Sequence, residues 1–378
     1  MGSGRLGSIT GEDFELGTLR AKWSMVVAAL ALSAAACGGG NPADTSPSGG
    51  GNGGNDGGSD IQVGLAYDVG GRGDQSFNDA AYRGLQAAID EGLVTEENVN
   101  VLEANQSGSN RDDNVVNLAE QGSDLVIPVG FAFSEGTQKV APDFTDVNFA
   151  IVDGFACLDE PCKNVSNLTF KEEEGSFLVG AAAALKSEAG TIGFLGGQQG
   201  TGLIEKFQAG YEAGAKAVNP DIEILVEYIG DTTQAFVDPT KGEALSNSMY
   251  DGGADIVYHA AGLSGSGLFK AAVSQNKLAI GVDSDQSLTA SPEQRKLILT
   301  SMLKRVDTAV HDAIQQVAEG SFKAGTQVFG LAEQGVGYAV NEYNDNDQLL
   351  SKDIQTKLED YKKQIVSGAI KVPAEPEG

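Results

Sequence analysis

The stretch YDVGGRGDQSFNDAAYRG, residues 67–84, joins a strand-like segment to a helix-like one through a glycine-rich loop. Ahead of it, residues 61–67 alternate as a strand does. Behind it, residues 80–91 carry apolar side chains at helical spacing. In open α/β proteins ligands bind where strands end and helices begin. This loop offers a carboxylate, Asp68, an aromatic face, Phe77, and an amide, Asn78.

The alternation continues outward. Residues 99–104, 124–129 (DLVIPV) and 149–153 (FAIVD) read as strands, separated by helical patterns at 113–121 and 131–141. The continuous apolar runs are of the kind buried on both faces of a parallel sheet. After a connecting strand at 165–170 and an alanine-rich helix at 173–186, the series begins afresh. It has strands at 191–195, 222–229, 255–259 and 278–283, with helices between them. Two α/β series of similar size predict two doubly wound parallel-sheet lobes. The lobes are expected at 61–165 plus about 285–325, and at 166–284 plus about 326–378. Such lobes can close on a small molecule by a hinge.

Composition narrows the function. Of 378 residues, 53 are acidic and 25 basic, a formal charge of −28. That field repels nucleic acid and anionic lipid, so no nucleic-acid role is expected. Arg20 and Lys22 precede the apolar run 25–36, which is long enough for a signal-peptide core and too short for a permanent membrane span. Small residues then abut Cys37, in the manner of a bacterial lipoprotein signal whose cysteine is acylated. Residues 38–60 contain no large apolar side chain and read as a flexible tether. A signal peptide at 1–36, a lipidated Cys37 and a tether through 60 place the body on the extracytoplasmic face of a cell membrane. There Cys157 and Cys162 read first as a disulfide. A zinc site is poorly supported, because the two histidines, His259 and His311, lack ligand spacing with them.

Enzymatic signatures are missing from the sequence. The glycines at 70–73 lack the GxGxxG order, and GFLGGQQGTG, residues 193–202, lacks the lysine and hydroxyl of a phosphate loop. No HExxH or GxSxG motif is present. Neither a catalytic residue, nor a metal, nor a cofactor is expected. What stands out instead is a set of polar and aromatic residues at strand ends and in polar loops: Asp68, Asp153, Asp283, Phe77, Phe236 and Lys304.

All of these residues except Asp68 lie in motifs that carry a resemblance. GDQSFNDAAYRG, VDG at 152–154 with TFKEEEGSFLVGAAAAL, AFVDPTKGEALSNSMYDGGADIVYHAAGLSGSG, IGVDSDQ and LTSMLKRVDTAV resemble the basic membrane protein family. Its members are purine nucleoside receptor A-like substrate-binding lipoproteins of ABC transporters. The resemblance implies a type I periplasmic-binding-protein fold, with three crossovers and the ligand in the interlobe cleft. It implies a nucleoside ligand, an ABC permease and its ATPase as partners, and a monomer. By the same resemblance Phe77 and Phe236 would stack on opposite faces of a purine, and Asp153 would accept from the base edge, with Asp68, Ser76 and Asn78 nearby. Asp283 and Lys304 would hold ribose hydroxyls, and Gly262 would let the backbone approach the sugar. Ser76 stands where the family pattern leads one to expect asparagine. Two rivals are a surface sensory or adhesive receptor using the same cleft and, more remotely, a nucleoside hydrolase.

Overall fold

The computed structural model describes residues 60–159 and 162–376. The expected leader, Cys37 and the tether through 59 lie outside the described residues. The chain runs β1 (Val63–Tyr67), α1 (Phe77–Asp90), β2 (Val99–Glu103), α2 (Arg111–Glu120), β3 (Leu125–Val129), α3 (Ser134–Val140), β4 (Asn148–Val152) and β5 (Val165–Phe170). It continues with α4 (Glu172–Lys186), β6 (Thr191–Gln198), α5 (Ile204–Val218), β7 (Glu223–Gly230), α6 (Pro239–Asp251), β8 (Ile256–Ala260), α7 (Ser266–Gln275) and β9 (Leu278–Asp283). The last part supplies α8 (Pro292–Arg295), β10 (Ile298–Lys304), α9 (Val306–Ala318), β11 (Gly325–Phe329), β12 (Val336–Tyr338) and α10 (Lys352–Val366).

Two six-stranded sheets result, one per lobe. The first has the order β11-β5-β4-β3-β1-β2 and is parallel throughout. The second has the order β12-β10-β9-β8-β6-β7, parallel except for β12, which runs antiparallel to β10. The apolar strands β1, β3 and β8 are buried along their whole length, because helices cover both faces of each sheet. In lobe 2, α4 and α5 lie nearly backbone to backbone. A Cβ on Gly180 would strike the Tyr211 carbonyl, and Cβ atoms on Gly210 and Gly214 would strike the carbonyls of Glu173 and Phe177.

The lobe boundaries differ from those expected. β10 lies beside β9 in the second sheet, whereas the sequence pattern places 285–325 in lobe 1. β5 and β11 belong to the first sheet, whereas the pattern places 166–170 and 326–329 in lobe 2. The pairings that decide this, Leu303 with Asp283 and Thr326 with Asn167, are set by long-range register, which a local apolar pattern does not encode. Crossovers therefore fall after β5, after β10 and between β11 and β12. The three are tied together: Lys171 N–H donates to Phe329 O at 3.1 Å and Arg305 N–H to Gly335 O at 2.8 Å. The Phe170 and Phe329 rings stack at 5.3 Å.

Cys157 and Cys162 are joined in a disulfide with their Cα atoms 5.6 Å apart. Side chains hold the chain where it enters the bridge. Asn167 accepts from Ala156 N–H and donates to Ala156 O, and Gln138 accepts from Cys157 N–H. Among the described residues no helix is long and apolar enough to cross a membrane.

Candidate ligand cleft between the lobes

The carboxyl end of β1 opens into the glycine-rich loop 68–76. Two aspartates organise it. The Asp74 carboxylate accepts from the N–H groups of Ser76, Asn78 and Asp79 at 2.8–3.1 Å, capping the start of α1. Asp79 accepts from Gly73 and Gln75 N–H and from the Arg72 guanidinium. With the loop held from both sides, Phe77 and Asn78 are presented at the first turn of a rigid helix.

They face a cavity lined by residues of both lobes. Lobe 1 contributes Asp68, Phe77, Asn78 and Asp153 to its lining. From lobe 2 and the strand leading into the second crossover come Phe236, Gly262, Asp283 and Lys304. Eight of the nine ligand residues expected from the sequence thus line one space. Ser76 does not: it is fully buried beneath the lining, and its hydroxyl donates to Asp283 Oδ2.

Charge is concentrated around Lys304, which is 2% exposed. Its Nζ donates to Asp153 Oδ2 at 2.7 Å and makes an ion-pair contact of 3.0 Å with Glu172 Oε1, without the angle of a hydrogen bond. The rings of Phe170, Phe77 and Phe207 surround it, their centroids 5.0–5.5 Å from the ammonium. Burial works against the charged lysine, yet Asp153, Glu172 and Asp283 together outweigh it and push its pKa up. Burial raises Asp153 above the usual carboxylate range despite Lys304, and it raises Asp283 to about 6.

Both strand-ending aspartates have left-handed backbones, Asp153 at φ +58° and Asp283 at φ +65°. Aspartate tolerates this conformation better than most residues, and such strain gathers at functional sites. Gly262, at φ +54°, occupies the same region, and a Cβ there would meet Phe236 at 3.4 Å. Gly262 thus packs against Phe236 at the cavity wall.

Among the described residues, two buried acceptors on the lining, Asn78 Oδ1 and Asp153 Oδ1, have no hydrogen-bond partner. Uncompensated buried acceptors are costly, and a donor placed in the cavity could satisfy both. Asp68 is already engaged. Its Oδ1 lies 2.5–2.6 Å from the Arg111 guanidinium, which also reaches Thr233 Oγ1 of lobe 2 at 3.2 Å.

Sequence reasoning passed over Arg111, Glu172 and Phe207. Arg111 reads as a solvated residue at a helix start, Glu172 as one of a run of three glutamates, and Phe207 as part of an apolar helix face. Glu172 alone carries a signal, since it stands two residues beyond the end of β5.

Comparison with known proteins agrees with this architecture. Residues 61–376 match the family described as ABC transporter substrate-binding protein PnrA-like (Bmp). A CD4+ T-cell-stimulating antigen of Listeria monocytogenes is 37% identical, over 84% of this chain and 89% of that protein. The ABC transporter nucleoside-binding protein BmpA of Lactococcus lactis is 32% identical over 84% and 90%. Among solved structures, an ABC transporter solute-binding protein of Aeropyrum pernix superposes with a TM-score of 0.71 at 29% identity, covering 84% of this chain and 94% of that one. The two-sheet arrangement with its three crossovers is the periplasmic-binding-protein type of fold, and the chain belongs to the Bmp family of PnrA-like ABC transporter substrate-binding proteins.

Proposed function

We propose that this protein captures a nucleoside, with a purine base, and delivers it to an ABC permease driven by a cytoplasmic ATPase. One observation carries the reading: a single cavity brings Phe77 of one lobe and Phe236 of the other together with Asp153, Asp283 and Lys304. Two aromatic faces suit a flat heterocycle, which gains ~1–3 kcal/mol per stacking contact. The unpartnered Asp153 and Asn78 oxygens suit ring and exocyclic N–H donors. Asp283 suits a vicinal hydroxyl pair, as acidic residues accept from ribose elsewhere.

In this reading no bond is made or broken. The work is selective binding coupled to lobe closure. The protein acts as a monomer on the extracytoplasmic face of the membrane, held there by acyl chains on Cys37 and free to reach its permease on the tether that follows. Native mass spectrometry of the protein as purified tests the ligand class, because tightly bound ligand survives gentle desorption. An added mass equal to a nucleoside supports the reading, and an added mass equal to a free sugar or an amino acid contradicts it.

A further inference from the structure

Ser76 and Gln75 touch the opposite lobe at adjacent points. The Ser76 hydroxyl donates to Asp283 Oδ2, and Gln75 O accepts from Gln286 Nε2 at 3.2 Å. Gln286 is itself locked in lobe 2. Its Oε1 accepts from Val282 N–H at 2.9 Å and lies 2.9 Å from His259 Nε2, and its N–H donates to Ser301 Oγ at 3.1 Å. Val282 and Asp283 end β9, so the clasp grips the strand end that carries the cavity carboxylate. On the lobe 1 side Gln75 has φ +53°, and Asp74 pins Ser76 N–H at 2.9 Å. Neither Gln75 nor Ser76 lines the cavity, whereas Asp283 does.

We propose that Ser76 is a positioning residue: from lobe 1 it orients the Asp283 carboxylate of lobe 2, so that recognition of a ligand's vicinal hydroxyl pair is completed only when the lobes close. The inference rests on the nucleoside reading and deepens it. A carboxylate has several acceptor positions, and a fixed donor on Oδ2 restricts the directions in which the remaining ones can accept. Charge-assisted hydrogen bonds of this kind are short and directional. The hydroxyl is supplied by the lobe that does not carry Asp283. Hydroxyl recognition and closure are thereby one event, and a ligand lacking the hydroxyls forfeits both the contact and the benefit of the ordered carboxylate.

Titration of adenosine, guanosine and inosine, each against its dideoxy counterpart, into wild type and Ser76→Ala tests this. The substitution removes one oxygen and leaves Phe77, Asn78 and the Asp74 cap in place. Affinity for the ribonucleoside is expected to fall about tenfold while that for the dideoxy compound changes less than twofold, as loss of one ordered charged hydrogen bond predicts. The pH profile of ribonucleoside binding should also move to higher pH in Ser76→Ala. Of the groups facing Asp283, which include Lys304, Ser76, Asp74, Asp153 and Tyr258, only the Ser76 donor is removed. Equal weakening of both ligand types, or no weakening, with wild type binding normally, overturns the role of Ser76 alone. If wild type binds neither type, the nucleoside reading falls and this inference with it.

Discussion

Lys304 Nζ sits 2.7 Å from Asp153 Oδ2, with both side chains almost wholly buried, and the pair joins the last strand before the second crossover to the lobe 1 strand end. Glu172, at the start of α4 and fully buried, lies on the other side of the ammonium. Lys206 on α5 continues the alternation, 3.2 Å from Glu172 Oε2 and 3.2 Å from Phe170 O. Charges that are expensive to bury are thus stacked in alternating sign through the hinge. Removing one member leaves the others uncompensated.

Lys304→Met should accordingly cost about 3–5 kcal/mol of stability, the usual penalty for breaking a buried ion pair. Urea unfolding measures it. A loss under about 1 kcal/mol, as for an exposed pair, would show that these charges are solvated.

The two phenylalanines should behave otherwise. Phe77 and Phe236 are only partly buried, so truncation to alanine removes little core. Each is expected to weaken nucleoside binding by about 1–3 kcal/mol, the worth of one stacked base. Thermal unfolding of the ligand-free variants should change far less than binding does. Unfolding that collapses in step with affinity would make them core residues.

The pH dependence follows from Asp283, whose pKa burial raises to about 6 from an unfolded value near 4. The folded ligand-free protein holds the extra proton. Its contribution to stability is therefore present below pH ~4 and is lost as pH rises toward 6. Binding runs the other way. Ligand hydroxyls donate to the ionised form, so affinity should fall as pH drops through about 6, and binding near pH 6 should release a proton. Calorimetry in two buffers of different ionisation heat counts that proton. Net proton uptake would contradict the role given to Asp283.

The Cys157–Cys162 bridge closes a very short loop, so its effect on the unfolded chain is limited. The double change to serine should lower stability by about 2 kcal/mol, the chain-entropy value for such a loop. Ligand affinity should stay within a few fold, because Ala156 and Cys157 remain anchored by Asn167 and Gln138. Loss of binding in the folded variant would tie the loop to the site.

Much of this architecture is legible in the sequence. Runs such as DLVIPV and FAIVD announce buried parallel strands, and Asp68, Asp153 and Asp283 end strands where ligands bind. The sheet to which a strand belongs is less accessible. Residues 298–304 look alike in either lobe, and only pairing with β9 decides. Burial of charge is also nonlocal. Glu172 resembles the partly exposed Glu173 beside it, and their environments differ because Glu172 makes close ion pairs with both Lys304 and Lys206. Ser76 illustrates the reverse: its place in the motif is plain, but that its hydroxyl turns to the other lobe requires both lobes to be seen.

Isothermal titration of ligand-free protein with purine and pyrimidine nucleosides, repeated with Phe77→Ala, tests whether the cleft binds a nucleoside by stacking its base on Phe77 and Phe236. One-site binding of a purine nucleoside is expected, micromolar or tighter, weakening roughly 5- to 150-fold in the variant. Absence of heat with every nucleoside, or an affinity unchanged by Phe77→Ala, would contradict that binding mode.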